Sequence, residues 1–278
     1  MRLALASLLV PLFGLAQEFE VASVKLAAPW EPGKSRMGYR GGPGTGDPTR
    51  LVIDNYPMML LVMRAYDVNP FQISGEVRGA ERFNISAKIP EGTTPAQFRT
   101  MLQNLLAGRF KMKLHRETRD LPIYELVVAK GGPKFKEHEG EPPVEDLNGG
   151  PPARDKSGRP PPNSWSMEIP PGGMARGQHN AVAESMEEFA KQLSRQFARS
   201  VVDATGLKGR YDFLLSWSQD VPGINPGPPP NAASTPDPDS GPSLIFAIQQ
   251  QLGLRLESKK GPVEILVIES FEKLPTEN

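Results

Sequence analysis

The sequence of 278 residues contains no cysteine. This absence excludes disulfide bonds, thiol nucleophiles, cysteine-ligated metal sites and a lipid-modified N-terminal cysteine. Without disulfides, the fold must draw its stability from buried apolar surface. A chain of this length has enough residues to bury one large core or two ordinary ones.

Neither sign of charge is in excess, because 32 Lys and Arg side chains balance 32 Asp and Glu side chains. General nucleic-acid binding and binding to anionic membrane surfaces both need a surplus of basic charge, so both are disfavoured. Aromatic residues make up only 7% of the chain. The three tryptophans, Trp30, Trp165 and Trp217, fit core or loop-anchor positions better than an exposed stripe that binds sugars or bases.

Long apolar runs are also absent, apart from one at the N-terminus. Residues 3–15 form a short apolar segment after Arg2, and the small residues Gly14 and Ala16 at its end match the pattern that signal peptidase recognises. We therefore expect residues 1–16 to be a signal peptide, and the mature protein to be periplasmic or extracellular without stable membrane insertion. An uncleaved anchor is the alternative, but the run is shorter than the ~20 residues that span a bilayer.

Proline and glycine are abundant, with 30 and 27 residues, and they concentrate in three stretches. Proline removes a backbone donor and glycine raises the entropic cost of ordering, so these stretches predict irregular structure. Residues 131–163 are predicted to be a linker. Residues 28–49 and 219–242 are predicted to be long loops, one inside each of the two flanking regions.

Outside these stretches, the second half of the sequence repeats the layout of the first. Three pairs of segments correspond: 82–85 with 210–213, 110–114 with 252–256, and 122–128 with 262–268. We predict an α+β fold of two tandem β-β-α-β-β-α-β-β modules, each a mixed sheet with helices on one face. The modules are expected at residues 17–130 and 164–278.

Four helices are predicted from local signals. Capping boxes at residues 94–97 and 185–188 start two of them, and each is followed by apolar residues at helical spacing. Asn55 as a cap, with Pro57 in the first turn, predicts a helix that runs to about Ala65. Pro242 is predicted to open the fourth helix.

Helix ends and hairpin turns follow from glycine and polar residues. Gly108 and Gly253 are the predicted ends of the second and fourth helices. Turns are predicted near Arg119-Asp120 and at residues 259–261, each joining two strands of a hairpin at the end of its module.

Several segments carry a resemblance to a known family. They are residues 19–25, 72–75, 109–117 (RFKMKLHRE), 127–134, 201–207 and 260–264. Together they resemble an uncharacterised family of secreted proteins that is expanded in soil acidobacteria. The resemblance spans essentially the whole mature chain and implies export, but it implies no known activity and no catalytic residues.

Two further likenesses bear on function. Some members of that family carry this region behind a membrane metallopeptidase of the antibiotic-sensor type, which implies a sensory or interaction role; this sequence has no such peptidase region. The order of strands and helices also resembles the short N-terminal domain of secretins and TonB-dependent receptors. Those domains bind partner proteins and carry out no chemistry, and this likeness is architectural analogy only.

The sequence nominates no catalytic, cofactor-binding or metal-binding residue. Of the three histidines, His115 ends an alternating strand and His138 lies in an acidic stretch. His179, with Glu184 and Glu188 nearby, is the best single candidate for acid–base chemistry. A metal site would need three or four ligands converging from separate elements, which the sequence does not show.

Nucleophile and phosphate-binding motifs are missing, since the chain lacks Gly-x-Ser-x-Gly and the Gly-Lys-Ser/Thr ending of a phosphate-binding loop. Carboxylate pairs are harder to exclude, because a glycosidase needs only two. Asp203 and Asp212 flank a turn of the second module, and turn chemistry accounts for Asp203. Arg82 and Arg210 recur at matching positions, where we expect each to pair with a carboxylate of its own module.

We therefore expect a non-enzymatic, extracytoplasmic binding or interaction protein of the cell envelope or secreted fraction, with no cofactor. Its expected partner is an envelope protein or peptide, held by β-augmentation along an exposed edge strand. One alternative is a secreted hydrolase that uses carboxylates and His179. Another is a sensory ectodomain that acts with a membrane partner.

Overall fold

The structure, a computed structural model, describes residues 18–75, 77, 81–141, 158–168, 175–219 and 242–276. It divides into two compact units. Unit 1 contains the described residues of 18–119 and 264–276, and unit 2 contains those of 120–263. In the part of the chain that the structure describes, no helix has both the length and the apolar character needed to cross a membrane.

The fold is α+β, as predicted, with three sheets and four α-helices among the described residues. In chain order the elements before the 131–163 region are β1 (Val21–Leu26), β2 (Gly38–Gly41), β3 (Arg50–Pro57), α1 (Met58–Tyr66), β4 (Ile73–Gly75), β5 (Arg82–Lys88), α2 (Pro95–Phe110) and β6 (Lys113–Val128). A single turn of 3₁₀ helix, Pro70–Gln72, precedes β4.

The remaining elements are β7 (Lys136–Glu137), β8 (Ser164–Glu168), β9 (Ala175–Ser185), α3 (Met186–Phe197), β10 (Val201–Asp203), β11 (Arg210–Gln219), α4 (Leu244–Leu252) and β12 (Leu254–Ser270). The three sheets have the orders β1-β5-β3-β2, β10-β6-β12-β4 and β7-β11-β9-β8. The first and third sheets are antiparallel throughout. In the second sheet, β4 and β10 are parallel to their neighbours β12 and β6.

Each unit has its own apolar core, because alternate residues of its strands and one face of each helix are apolar. In unit 1 the rings of Phe83 and Phe110 lie edge to face at 4.8 Å and are fully buried. In unit 2 Phe189 occupies the corresponding interior, with the ring of Phe213 at 5.0 Å.

The capping boxes are confirmed. Thr94 Oγ1 accepts from the Gln97 N–H, and the Gln97 side chain accepts from the Thr94 N–H. Ser185 and Glu188 make the same reciprocal pair at the start of α3. These signals succeed because a capping box satisfies backbone donors within four residues and needs no tertiary contact.

Two predicted helix limits are wrong, while Gly253 ends α4 as predicted. Asn55 does not cap α1. It lies inside β3 with φ 51°, and Pro57 immediately precedes the helix. Helix α2 passes through Gly108 and ends where Lys111 adopts φ 47°. Phe110, in the last turn of α2, is fully buried, and the free energy of burying its ring outweighs the low helix propensity of Gly108.

Both predicted hairpin turns are also wrong, because Arg119-Asp120 and residues 259–261 lie inside the uninterrupted strands β6 and β12. Each module of the predicted pattern therefore closes with one long strand instead of two short ones. Gly261 does not have a positive φ. An added Cβ there would lie 2.6 Å from Cδ1 of Ile123, so this glycine accommodates a close side chain and not a turn.

A backbone irregularity of the same construction occurs in both units. Asn55 in β3 and Ala183 in β9 have φ 51° and 52°, and a register shift follows between each strand and its neighbour. An arginine one strand away donates to the carbonyl of each residue: Arg82 Nη1 to Asn55 O at 3.1 Å, and Arg210 Nη1 to Ala183 O at 2.6 Å. The predicted module boundaries themselves stay a prediction.

Candidate functional site

His179, the histidine that the sequence favoured for acid–base chemistry, is fully buried in unit 2. Its ring stacks on Trp165 at 4.5 Å and lies parallel to Phe189 at 5.7 Å. Nδ1 lies 3.0 Å from the Ser164 carbonyl oxygen, and Nε2 lies 2.7 Å from Oε2 of Glu184. A carbonyl oxygen can only accept, so Nδ1 of His179 is the donor in the contact with Ser164.

This arrangement belongs to the core of unit 2. Glu184 is 1% exposed, and its other oxygen accepts from Nε2 of Gln192 at 2.5 Å. A substrate in solution has no access to either member of the pair in this conformation. His179 is therefore a buried polar residue of the core whose ring nitrogens both have hydrogen-bond partners.

His138 and Asp212, by contrast, meet at the surface of unit 2. Nδ1 of His138 lies 2.8 Å from Oδ1 of Asp212, and Nε2 faces the Glu141 carbonyl oxygen at 3.3 Å. The Asp212 carboxylate, together with that carbonyl, raises the pKa of His138. Oδ1 of Asp212 also accepts from the Ala183 N–H, so the pair supports the irregular position in β9.

The other candidate residues lie apart. His115 is exposed in unit 1 and contacts Glu269 at 2.7 Å. Asp203 accepts from the backbone and side chain of Thr205, as the turn interpretation predicted. Arg210 pairs with Glu188 at 3.2 Å. Arg82 instead donates to a backbone carbonyl and stacks on the ring of Trp30 at 4.5 Å.

Among the residues that the structure describes, no group of three or more His, Asp or Glu side chains is placed to hold a metal ion. The functional candidates that remain are sheet edges, where unpaired backbone groups can bind an extended segment.

The outer edge of β1 presents such groups. The Ala27 N–H donates to the Arg82 carbonyl at 2.7 Å, directly after the antiparallel pairing of β1 with β5. Because antiparallel strands alternate the direction of their backbone groups, the N–H and C=O of Ala22, Val24 and Leu26 point away from β5. We call these outward groups the β1 edge. Arg109 confirms the direction, since its Nη2 donates to the Ala22 carbonyl at 3.0 Å.

Beyond this contact the β1 edge is open, because within the described chain no hydrogen bond reaches the outward groups of Val24 and Leu26. Two grooves follow the strand, one of about 580 Å³ beside residues 18–22 and one of about 480 Å³ beside residues 23–26. Arg109 and Thr276 line both grooves. Leu26 is 48% exposed beside the second groove.

Sequence reasoning missed Arg109 because nothing local distinguishes it from any basic residue in the last turn of a helix. Its role depends on α2, β1 and the C-terminal residues meeting in three dimensions: Nη1 donates to the Thr276 carbonyl at 3.1 Å, while Nη2 donates to Ala22. The backbone groups of the β1 edge carry no sequence signal at all.

The chain belongs to a family described as protein of unknown function (DUF3738), whose model matches residues 59–271. This confirms the coarser part of the resemblance stated above, an uncharacterised family. No curated protein and no solved structure matches the chain. The matched region includes β11 and leaves out β1.

Proposed function

We propose that this protein is a non-enzymatic binding protein that holds an extended segment of an envelope protein or peptide along the β1 edge. The observation that carries the proposal is the row of outward N–H and C=O groups on Val24 and Leu26, which lack partners among the described residues. An added strand would form main-chain hydrogen bonds with these groups, and its side chains would enter the grooves on either side of Arg109.

The side chains along the β1 edge favour a partner that binds through backbone hydrogen bonds and apolar contacts more than one that binds through charged groups. The acidic Glu20 beside β1 is already paired with Lys88 at 2.6 Å. Ala22, Val24 and Leu26 are alternate residues of β1 and therefore share one face of the sheet, where Leu26 is 48% exposed. A segment that alternates apolar and polar residues matches this surface, since cross-strand pairs on a shared face stabilise a sheet.

The test uses a library of displayed twelve-residue peptides and the mature protein, immobilised. Peptides that bind saturably are then measured against Leu26→Pro, which removes one outward N–H, and against Leu26→Ala, which keeps it. We expect Leu26→Pro to weaken binding about tenfold relative to Leu26→Ala, because a peptide carbonyl is left unpaired. Equal affinities for the two variants, or no saturable binder, would contradict the proposal.

We also propose that the protein acts outside the cytoplasm after cleavage following Ala16, alone or as the ectodomain partner of a membrane protein. The n-region, apolar segment and small residues at 14 and 16 support this. Intact-mass measurement of the protein from the periplasmic fraction should give an N-terminus at Gln17. A mass that still includes residues 1–16 would contradict cleavage.

Finally, we propose that the two halves are copies of one module. The support is a set of matched contacts: Asn84 Oδ1 accepts from the Asn55 N–H at 2.8 Å, and Asp212 Oδ1 accepts from the Ala183 N–H at 2.8 Å. The matching Arg82 and Arg210 bonds lie beside them. If the copies are equivalent, Arg82→Gln and Arg210→Gln should each cost about 1–3 kcal/mol, because each leaves a strand carbonyl without its donor.

A further inference from the structure

Arg109, in the last turn of α2, places a positive charge at one end of the β1 edge. Its Nη2 donates to the Ala22 carbonyl at 3.0 Å, and its Nη1 donates to the Thr276 carbonyl at 3.1 Å. Both acceptors are neutral, and among the residues that the structure describes no carboxylate pairs with Arg109. A guanidinium has five N–H donors, so Arg109 keeps its net charge and has donors left for a further acceptor.

The groove of about 480 Å³ beside residues 23–26 is basic. Lys25 and Arg109 are the charged residues of its described lining, and Lys25 has no ion pair within the described ranges. The rest of that lining is apolar or carries a hydroxyl group: Ser23, Val24, Leu26, Leu274, Pro275 and Thr276. The groove beside residues 18–22 also has Glu18 and Glu20 in its lining and is less suited to an anion. An anion attached to an apolar group therefore complements the groove beside residues 23–26.

The position of Arg109 determines which end of an added strand is favoured there. β1 runs from Val21 to Leu26, so a strand antiparallel to it has its carboxyl end nearest Ala22 and Arg109. A parallel strand would bring its amino end to the same place, and a free amino group is positively charged at neutral pH. The guanidinium therefore favours an antiparallel strand that ends in a carboxylate.

The backbone groups beside Arg109 are placed to bind such a carboxylate. The Ala22 carbonyl and the Val24 N–H flank Ser23, and both point away from β5. When the last residue of an antiparallel segment pairs with Val24, one carboxylate oxygen accepts from the Val24 N–H. The other oxygen faces the guanidinium that is bound to the Ala22 carbonyl. The residue two positions earlier then pairs with Leu26, so the open part of the β1 edge is filled.

We infer that the β1 edge binds the free C-terminus of its protein or peptide partner, with an apolar last residue opposite Val24 and the terminal carboxylate held by Arg109. The inference rests on the proposed function and narrows it, because a segment that ends at Arg109 follows only the groove beside residues 23–26. The last side chain lies on the same face as Val24 and Leu26, where a cross-strand apolar pair is favourable. The carboxylate is a backbone group, so the partner needs no charged side chain.

The experiment compares two synthetic peptides that differ in one functional group. Both have the sequence acetyl-Ser-Thr-Ser-Val-Thr-Val, and one ends in a free carboxylate while the other ends in a carboxamide. Calorimetric titration of the mature protein should show that the acid binds about tenfold more tightly than the amide, because only the acid forms charge-assisted hydrogen bonds with Arg109. This preference should decrease as the salt concentration rises.

Variants at position 109 show whether the preference for the acid depends on this arginine. Arg109→Gln should abolish the preference, whereas Arg109→Lys keeps the charge and should retain part of it. Arg99→Gln is the matched control, because it removes an exposed positive charge from the same helix and should leave the preference unchanged. The preference is a ratio of two affinities measured on one protein, so an effect of a variant on both affinities cancels.

The possible results separate this inference from the proposed function. Equal affinities of the acid and the amide for wild type, with both weaker for Leu26→Pro than for Leu26→Ala, would overturn the inference and leave strand addition at the β1 edge in place. A preference for the acid that persists in Arg109→Gln would also overturn it, since the carboxylate would then bind elsewhere. Failure of both peptides to bind would overturn the inference as well, while the displayed library decides on the proposed function.

Discussion

Nε2 of His179 lies 2.7 Å from Oε2 of Glu184, and the two residues are 0% and 1% exposed. Each therefore depends on the other for one of its hydrogen bonds, in a core where the rings of Trp165 and Phe189 stack on His179. Replacing one residue of a buried pair lowers folding stability more than replacing both, because the remaining polar group has no hydrogen-bond partner in a medium of low polarity.

His179→Ala should destabilise the protein by about 3–5 kcal/mol, since it leaves Glu184 buried without its partner and opens a cavity beside Trp165. Urea unfolding measures the effect. The double variant His179→Leu with Glu184→Leu should recover part of the loss. His115→Ala, at an exposed histidine, is the control and should stay within about 0.5 kcal/mol of wild type. A loss below 1 kcal/mol for His179→Ala would contradict the buried-pair description.

Asp212→Asn should lower the pKa of His138, because the hydrogen bond to Asp212 is the largest of the effects that raise this pKa, and the charge of Asp212 adds to it. Asparagine keeps an oxygen for the Ala183 N–H, as Asn84 does for Asn55. NMR titration of the histidine ring is the direct measurement. A His138 pKa that stays raised in the variant would assign the shift to the Glu141 carbonyl instead.

The same pair predicts a pH dependence with a definite sign. A histidine whose pKa is raised on folding stabilises the folded state fully below its unfolded pKa of about 6.5. That stabilisation is lost as the pH rises through the folded value. The stability advantage of wild type over Asp212→Asn should therefore shrink between mildly acidic and mildly alkaline pH, as followed by thermal unfolding. An advantage that grows with pH would contradict the assignment.

Gly75→Ala should disrupt the parallel pairing of β4 with β12. Gly75 has φ 101°, and an added Cβ would lie 2.2 Å from the Ile268 carbonyl oxygen. Gly92 is the matched control, since it has φ 76° but no atom within 4 Å of an added Cβ. Both variants place alanine at a positive φ and share that backbone strain. Gly75→Ala should therefore be about 1–3 kcal/mol more destabilising than Gly92→Ala, because only its Cβ overlaps a neighbouring atom. Equal losses in chemical denaturation would contradict this.

Ala198→Gly should stabilise the protein. Ala198 ends α3 with φ 47° and is exposed, so it bears the strain of a left-handed backbone without gaining from burial. Glycine removes about 1 kcal/mol of this strain. Ala96→Gly, in the first turn of α2, should have the opposite sign and destabilise by about 0.5–1 kcal/mol. Thermal unfolding of the two variants compares them directly, and a lower melting temperature for Ala198→Gly would refute the strain argument.

Predictions from sequence succeeded where the physical cause is local. The capping boxes at Thr94 and Ser185 satisfy backbone donors within one helical turn, so the signal for the start of α2 and α3 lies within four residues of sequence. Alternating apolar residues likewise predicted β5 and β11, because alternation places a single face in the core. The predicted end of α4 at Gly253 is confirmed, with φ 66° at that residue.

Predictions from sequence failed where the structure of a segment depends on residues distant in sequence. Polar residues such as Arg119 and Asp120 are typical of a turn, yet they continue β6 because neighbouring strands supply its hydrogen bonds. His179 carries the same local signal as a catalytic histidine, and only the ring of Trp165 and the carboxylate of Glu184 reveal a core residue.

The amino-acid sequence by itself determined the α+β class, most helices and strands, and the apolar faces that build each core. These follow from backbone propensities and from the periodic burial of side chains, both of which are written into short segments. The tertiary structure alone decided that the outward backbone groups of Val24 and Leu26 lack a partner among the described residues, because every residue type except proline carries the same backbone groups. Only the pairing of distant strands determines which of those groups still need a partner.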